Sequence, residues 1–253
     1  MTSEGRRVVL LETCQNFRDI GGYGTADGRR VAWGRLYRAD TLHRLSPADL
    51  EALVRLDIRT VVDLRARNEV ERHGRLTAHG HDITYHHMPM LDRVMGPDRP
   101  PEAPHDEVPT DLGAFYIRML DEGRTAIAGA LRIMSEPGAT PAVFHCMAGK
   151  DRTGILAAVV LGCLGVPDED IVHDYVLTEA QRAVRDAYLA EHDPEYLAYL
   201  DSLPPFARET RPETMWSFLN HVGDVSGSMS GYLEHTGVGS DVVAALRDAL
   251  LEH

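Results

Sequence analysis

Lysine is almost missing from this chain: of 26 basic residues, all but Lys150 are arginine. Positive charge is also scarce, because 39 acidic residues leave a formal net charge of −13. That balance argues against nucleic acid as a partner, since binding to a phosphate backbone needs a basic face. Long-range steering would likewise repel phosphate esters, so any anion must be bound by local cations and oriented dipoles. Cysteine is sparse as well. Three cysteines, an odd number without paired spacing, exclude a disulfide framework and point to a reducing compartment. Long apolar runs are missing, and nothing approaches the ~20 residues of a membrane span. The N-terminal segment MTSEGRRVVLLET has too short an apolar run for a secretory signal. These absences lead us to expect a cytoplasmic protein without integral membrane contact. At 28.0 kDa the chain is expected to form one domain, residues 1–253.

The lone lysine lies in His145-Cys146-Met147-Ala148-Gly149-Lys150-Asp151-Arg152-Thr153-Gly154. A loop of the length between Cys146 and Arg152 can curl so that successive backbone N–H groups face one anion. Arg152 would close the ring with its planar fork, and Gly149 can adopt backbone angles closed to other residues. The apolar run Ala142-Val143-Phe144 reads as a buried strand feeding the loop. Thr153 to Leu164 reads as a helix whose N-terminus aims free N–H groups at the same point. A cysteine there is expected to act as a thiolate. Cys14 and Cys163 are read as inert buried residues. A nucleotide P-loop is excluded, because Phe144 and Asp151 stand where that motif needs Gly and Ser or Thr.

Elsewhere the pattern alternates. Val8 to Leu11 and Val31 to Tyr37 read as antiparallel strand material around the Asp27-Gly28 turn. Ser46-Pro47 opens a helix to Leu56. Ile58 to Leu64 and Ile83 to His87 are β-rich, and Leu112 to Glu136 has helical spacing with a break at Gly123. Residues 92–111, rich in proline, are expected to form a mobile loop. Strands alternating with helices predict an α/β fold, a central, mostly parallel sheet flanked by helices. After Gly165 the chain reads as all-helical: Glu169 to Leu177, Glu179 to His192, Pro194 to Leu203, Pro212 to Val222 and Asp241 to Leu251.

The loop resembles that of the atypical bacterial cysteine-based tyrosine/lipid phosphatases, a family with a secreted mycobacterial member, whose loop runs His-Cys-x-x-Gly-Lys-Asp-Arg-Thr-Gly. Asn16-Phe17-Arg18-Asp19-Ile20-Gly21-Gly22 and Val61-Val62-Asp63-Leu64-Arg65 with Glu69 are similar too, as are Gly165 to Val172 with Asp174-Tyr175, and Gly231-Tyr232-Leu233. The resemblance runs from about residue 16 to the C-terminus. It implies a fold like that of dual-specificity phosphatases and a helical lid within residues 178–253. It also implies phosphomonoester hydrolysis through a phosphocysteine without cofactor or metal.

On this reading Cys146 is the nucleophile, and Met147, Ala148, Gly149, Lys150, Asp151 and Arg152 cradle the phosphate. Thr153 is expected to hydrogen-bond the sulfur, and His145 to orient the loop. Asp63 is the first candidate for the general acid, because strand ends gather function in open α/β sheets. Asp151, between two cations, is its rival, while Asp111 and Asp121 rank lower. Lys150 and Arg65 are expected to select the substrate, Lys150 either meeting a second anionic group or forming a structural ion pair. His79, His81, His86 and His87 are not read as a metal site, since neighbours on a strand face opposite ways. The expected substrate is a phosphorylated protein, with phosphoinositides as a further class. The alternative is an inositol phosphate or another small phosphorylated metabolite, and a non-catalytic phosphate-binding module is a third reading.

Overall fold

A computed structural model describes residues 3–78, 80–94 and 112–252. The short helix α1 (Ser3–Arg7) precedes β1 (Arg18–Asp19), β2 (Leu36–Ala39), α2 (Pro47–Arg55), β3 (Thr60–Asp63), α3 (Arg67–His73) and β4 (Thr84–His87). Then follow α4 (Leu112–Glu122), α5 (Arg124–Ser135), β5 (Ala142–His145) and α6 (Asp151–Leu164). The remainder is α7 (Asp168–His192), α8 (Pro194–Ser202), α9 (Pro205–Arg208), α10 (Pro212–Ser226), α11 (Met229–His235) and α12 (Ser240–Leu250).

The strands form one sheet in the order β1-β2-β5-β3-β4, parallel except for β1 against β2. The expected mixed α/β architecture is therefore the one found. β5 is central and wholly buried, as its unbroken apolar run requires. Its register puts Ala39, His145 and Asp63 side by side at the carboxyl edge. The chain leaves β5 at that edge and enters the Cys146 loop. α6 is apolar almost all round and buried nearly throughout, packed among α4, α7, α11 and α12.

Several boundaries follow the sequence closely. Ser46 caps α2, accepting from the Asp49 N–H at 3.1 Å. Gly123 separates α4 from α5. Two expectations need correction. The two helices read between Glu169 and His192 are one helix of 25 residues, α7. Thr178, at the expected break, is buried inside it and accepts a hydrogen bond from Arg18 Nη2 at 3.1 Å. The strand predicted from Val31 begins only at Leu36. His79 and most of the proline-rich segment, with Asp111, lie outside the described residues. No described helix is long and apolar enough to cross a membrane.

Candidate active site

The Cys146 loop is shaped by what its carbonyl groups bind. Met147 O accepts from the Thr41 N–H at 3.1 Å. Asn16 Nδ2 donates to Ala148 O at 3.3 Å and to Gly149 O at 3.2 Å, and Arg38 Nη2 donates to Gly149 O at 2.8 Å. In a trans peptide, C=O and the following N–H point in opposite directions. Tying down the carbonyls of 147, 148 and 149 therefore turns the N–H groups of 148, 149 and 150 away from this floor. Gly149 is required twice over. Its φ is +64°, and a Cβ there would sit 2.6 Å from Ala39 O.

The groups that grip the carbonyls are themselves fixed by a buried ionic knot. Asp174 of α7 accepts from Arg18 Nε at 3.1 Å and from Arg38 Nη1 at 2.6 Å. Arg18 Nη1 in turn donates to Asn16 Oδ1 at 2.5 Å. Burial raises the Asp174 pKa, but the two guanidinium charges overcome it and hold the carboxyl below its ordinary range. The Asn16-Phe17-Arg18 and Asp174-Tyr175 motifs thus support the loop, a role their spacing in sequence did not reveal.

Cys146, 1% exposed, lies on the floor of a cleft of about 690 Å³. Met147, Ala148, Lys150, Asp151 and Arg152 line the same cleft. Arg152 forms a two-pronged ion pair with Glu69: Nη1 binds Oε2, and Nη2 binds Oε1 at 3.0 Å. Burial works against the Arg152 charge, yet Glu69, Cys146 and Asp151 hold its pKa above the ordinary value. Glu69 is placed by its own turn, Oε2 accepting from the Ala66 N–H at 2.7 Å. Its carboxyl is kept below the usual range by Arg152 despite burial.

Asp63 and Arg65, expected as the general acid and as a substrate-selecting residue, stand apart from the cleft lining. Asp63 is 0% exposed and is clasped by Arg65, Nη2 to Oδ2 at 2.6 Å, and by Tyr85 Oη at 2.8 Å. Burial raises its pKa, but His145 and Arg65 hold it well below the ordinary carboxylate value. A carboxylate so shielded has no path to a leaving group. Arg65, equally buried, spends its fork on Asp63 and the Gly74 carbonyl. Asp121 sits on the exposed side of α4, 3.2 Å from Arg124.

His145 Nδ1 lies 3.2 Å from the Cys146 carbonyl, and burial lowers the His145 pKa. Thr153 Oγ1 is buried without a hydrogen-bond partner among the described residues, so the expected bond to sulfur is not made in this state. Asp151 is different from Asp63. Its side chain is 29% exposed, and Oδ1 lies 2.8 Å from Tyr116 Oη and 3.4 Å from Lys150 Nζ. Lys150, only 3% exposed, donates to the Ala207 carbonyl and to Glu209 O at 3.3 Å. Of the two roles expected for Lys150, a contact with a second anionic group or a structural ion pair, the side chain is engaged in the ion pair, with Asp151, and with backbone carbonyls. Tyr196, Tyr199, Leu200 and Leu203 of the helical excursion complete this wall of the cleft. Glu69, Tyr116 and the Asn16–Arg38 brace are the functional residues that local reading did not single out for a role.

The chain has relatives among known proteins. The profile described as "Tyrosine phosphatase family" matches residues 9–252. A Cupriavidus necator protein, provisionally named a tyrosine-protein phosphatase, is 35% identical over 71% of this chain and 66% of its own length. The triple specificity protein phosphatase PtpB of Mycobacterium tuberculosis is 27% identical over 93% of this chain and 96% of its own. A tyrosine-protein phosphatase of Nostoc commune is 30% identical, matched over 47% of its length. Among solved structures, the Siw14 catalytic core is similar at a TM-score of 0.38 with 16% identity, covering 77% of this chain and 95% of that one. TpbA of P. aeruginosa is similar at 0.31 with 15% identity, covering 71% and 87%.

Proposed function

The chain belongs to the tyrosine phosphatase family, and from that premise we propose that it hydrolyses aryl phosphate esters of protein tyrosine through a phosphocysteine, with Asp151 as general acid. One observation carries this reading: Cys146, Asp151 and Arg152 line the same cleft, on a loop whose carbonyls are tied away from it.

In the first step Cys146 Sγ attacks phosphorus in line as the ester P–O bond breaks. The electron pair leaves with the phenolic oxygen, which takes the proton of Asp151. In the second, water attacks phosphorus, gives its proton to Asp151, and the sulfur departs as thiolate. Through both steps the N–H groups of the loop and the Arg152 fork hold the equatorial oxygens. Glu69 occupies one N–H on each terminal nitrogen of Arg152, leaving Nε–H and the remaining N–H groups for phosphate. The Thr153 hydroxyl, buried and without a partner among the described residues, is available to bond the sulfur as it departs.

The depth of the nucleophile and the aromatic side chains Phe115, Tyr196 and Tyr199 favour a long, flat ester over a short alkyl one. A second reading, phosphoinositides or inositol phosphates, draws on Arg72, Arg118, Arg185 and Arg208 around the same cleft. A purely phosphate-binding module is disfavoured by the complete set of Cys146, Asp151, Arg152 and Thr153.

The deciding experiment is turnover of an aryl phosphate by the pure protein, inhibited by vanadate and lost in Cys146→Ser. Absence of turnover across mildly acidic to neutral pH would overturn the enzymatic reading. Phosphotyrosyl peptides, phosphoinositides and inositol phosphates assayed side by side then rank the substrate classes. A kcat/KM higher for either inositol class than for peptides replaces the first reading with the second.

A further inference from the structure

Asp151 is held by a group that the mechanism above leaves unused. Tyr116 of α4 is wholly buried, and its Oη lies 2.8 Å from Asp151 Oδ1. Among the described residues its other hydrogen-bond partner is Tyr175 Oη of α7, also at 2.8 Å. The rings meet edge to face, 6.0 Å between centroids at 86°. A phenol has a single hydrogen to donate. Tyr116 gives it to the carboxyl, so Tyr175 donates to Tyr116, and a directed chain runs Tyr175 to Tyr116 to Asp151. Burial first, and the Asp151 charge next, push the Tyr116 pKa well up, so the phenol keeps its proton and stays a donor.

We propose that Tyr116 is a positioning residue for general-acid catalysis, fixing which oxygen of Asp151 carries the transferable proton. This rests on the assignment of Asp151 as the acid. Two donors, Tyr116 Oη and Lys150 Nζ, face Oδ1. The acid's hydrogen cannot share that oxygen with them and resides on Oδ2. When the P–O bond breaks, the leaving oxygen takes the proton from Oδ2, and the carboxylate charge that forms is met on Oδ1 by the waiting phenol. A rotating carboxyl would spend part of its time with the proton on the wrong oxygen. Tyr116 removes that freedom without touching the substrate.

The test compares Tyr116→Phe with the wild type on two aryl phosphates of similar size, phenyl phosphate and p-nitrophenyl phosphate. The phenolate of the first is the poorer leaving group and needs the acid more. Tyr116→Phe should lower kcat for phenyl phosphate by about tenfold, leave p-nitrophenyl phosphate nearly unchanged, and barely move KM. Tyr175→Phe, one step removed, should do the same more weakly. In an Asp151→Asn background, Tyr116→Phe should add nothing to the leaving-group dependence. Equal losses on both substrates, or no loss on either, would overturn the positioning role while leaving the acid in place. If Asp151→Asn itself does not discriminate between the substrates, the acid assignment falls, and this proposal falls with it.

Discussion

The floor and the helical wall of the cleft hold the same loop by different means. Beneath the loop, Asn16, Arg18, Arg38 and Asp174 are buried side chains in a closed ionic knot, each fixed by at least one other. On the other side, α8 and α9 contain no buried residue, and Lys150 of the loop donates to the carbonyls of Ala207 in α9 and of Glu209 just beyond it. A buried charge cluster cannot be loosened by degrees, because a lost partner strands a charge away from water. Carbonyls on a half-exposed helix lose little when released, since water replaces the donor. The cradle is thus built to keep its shape whether or not the helical wall is seated.

The sharpest way to break this contrast is Asp174→Ala. It leaves Arg18 and Arg38 buried with no counter-charge between them, which should cost about 3–5 kcal/mol of stability. Urea unfolding measures it, and a loss under about 1 kcal/mol would mean the knot is not what holds the floor. Gly149→Ala comes next. Its Cβ would sit 2.6 Å from Ala39 O, at a φ of +64°. A shift of the loop by about 1 Å should cut kcat/KM by on the order of a hundredfold, with a stability loss of about 1–3 kcal/mol. Steady-state kinetics beside urea unfolding separates the two effects.

The loop and the elements on either side of it were legible because their signals are short-range. A buried strand, a loop with Gly149, and an apolar helix follow one another within about twenty residues of sequence, each announced by its own residue types. The break at Gly123 was equally local. What escaped was set by neighbours far along the chain. Glu69 reaches Arg152 across 83 residues, and Arg18 reaches Asp174 across 156. Asp63 shows the difficulty clearly. Its place at a strand end suggested chemistry, but Tyr85 on the next strand and Arg65 two residues on consume it as a structural ion. Thr178 misled for the opposite reason: a poor helix former was kept in mid-helix because Arg18 satisfies its hydroxyl.

Acid should also separate the two regions. Burial depresses the pKa of both His43 and His145, and for His43 Arg65 adds to it, pushing that pKa down to about 3. Both sit against the edge that carries the loop, near Arg65 and Asp63. A histidine with a depressed folded pKa contributes stability that is complete above its unfolded value of about 6.5 and drains away below it. Asp63 and Asp174, also depressed, add a second loss once pH falls below about 4. Urea midpoints should therefore decline from about pH 6.5 downward and more steeply below about 4. His43→Gln should flatten the upper part of that decline. A flat profile from neutral pH to about 4 would show that these histidines ionise freely in the folded state.

The smallest effect on stability is expected on the side of the helical wall, at Lys150. Lys150→Met keeps the length of the side chain and its packing but removes the donor to Ala207 O and Glu209 O. Ala207 belongs to a short helix without buried residues and Glu209 caps its end, so water can take the place of the ammonium. Global stability should change by less than about 1 kcal/mol, because the carbonyls that lose the donor are half-exposed and regain a partner in water. The local consequence is different. The Ala207 and Glu209 amides, bonded to Pro204 O and Pro205 O, should exchange hydrogen faster, because the excursion has lost its tie to the loop. The N–H groups of α6, behind the loop, should keep their protection, since nothing in the ionic knot has changed. If protection in α6 fell together with that of α9, the wall would be supporting the cradle, and the two regions would be one cooperative unit.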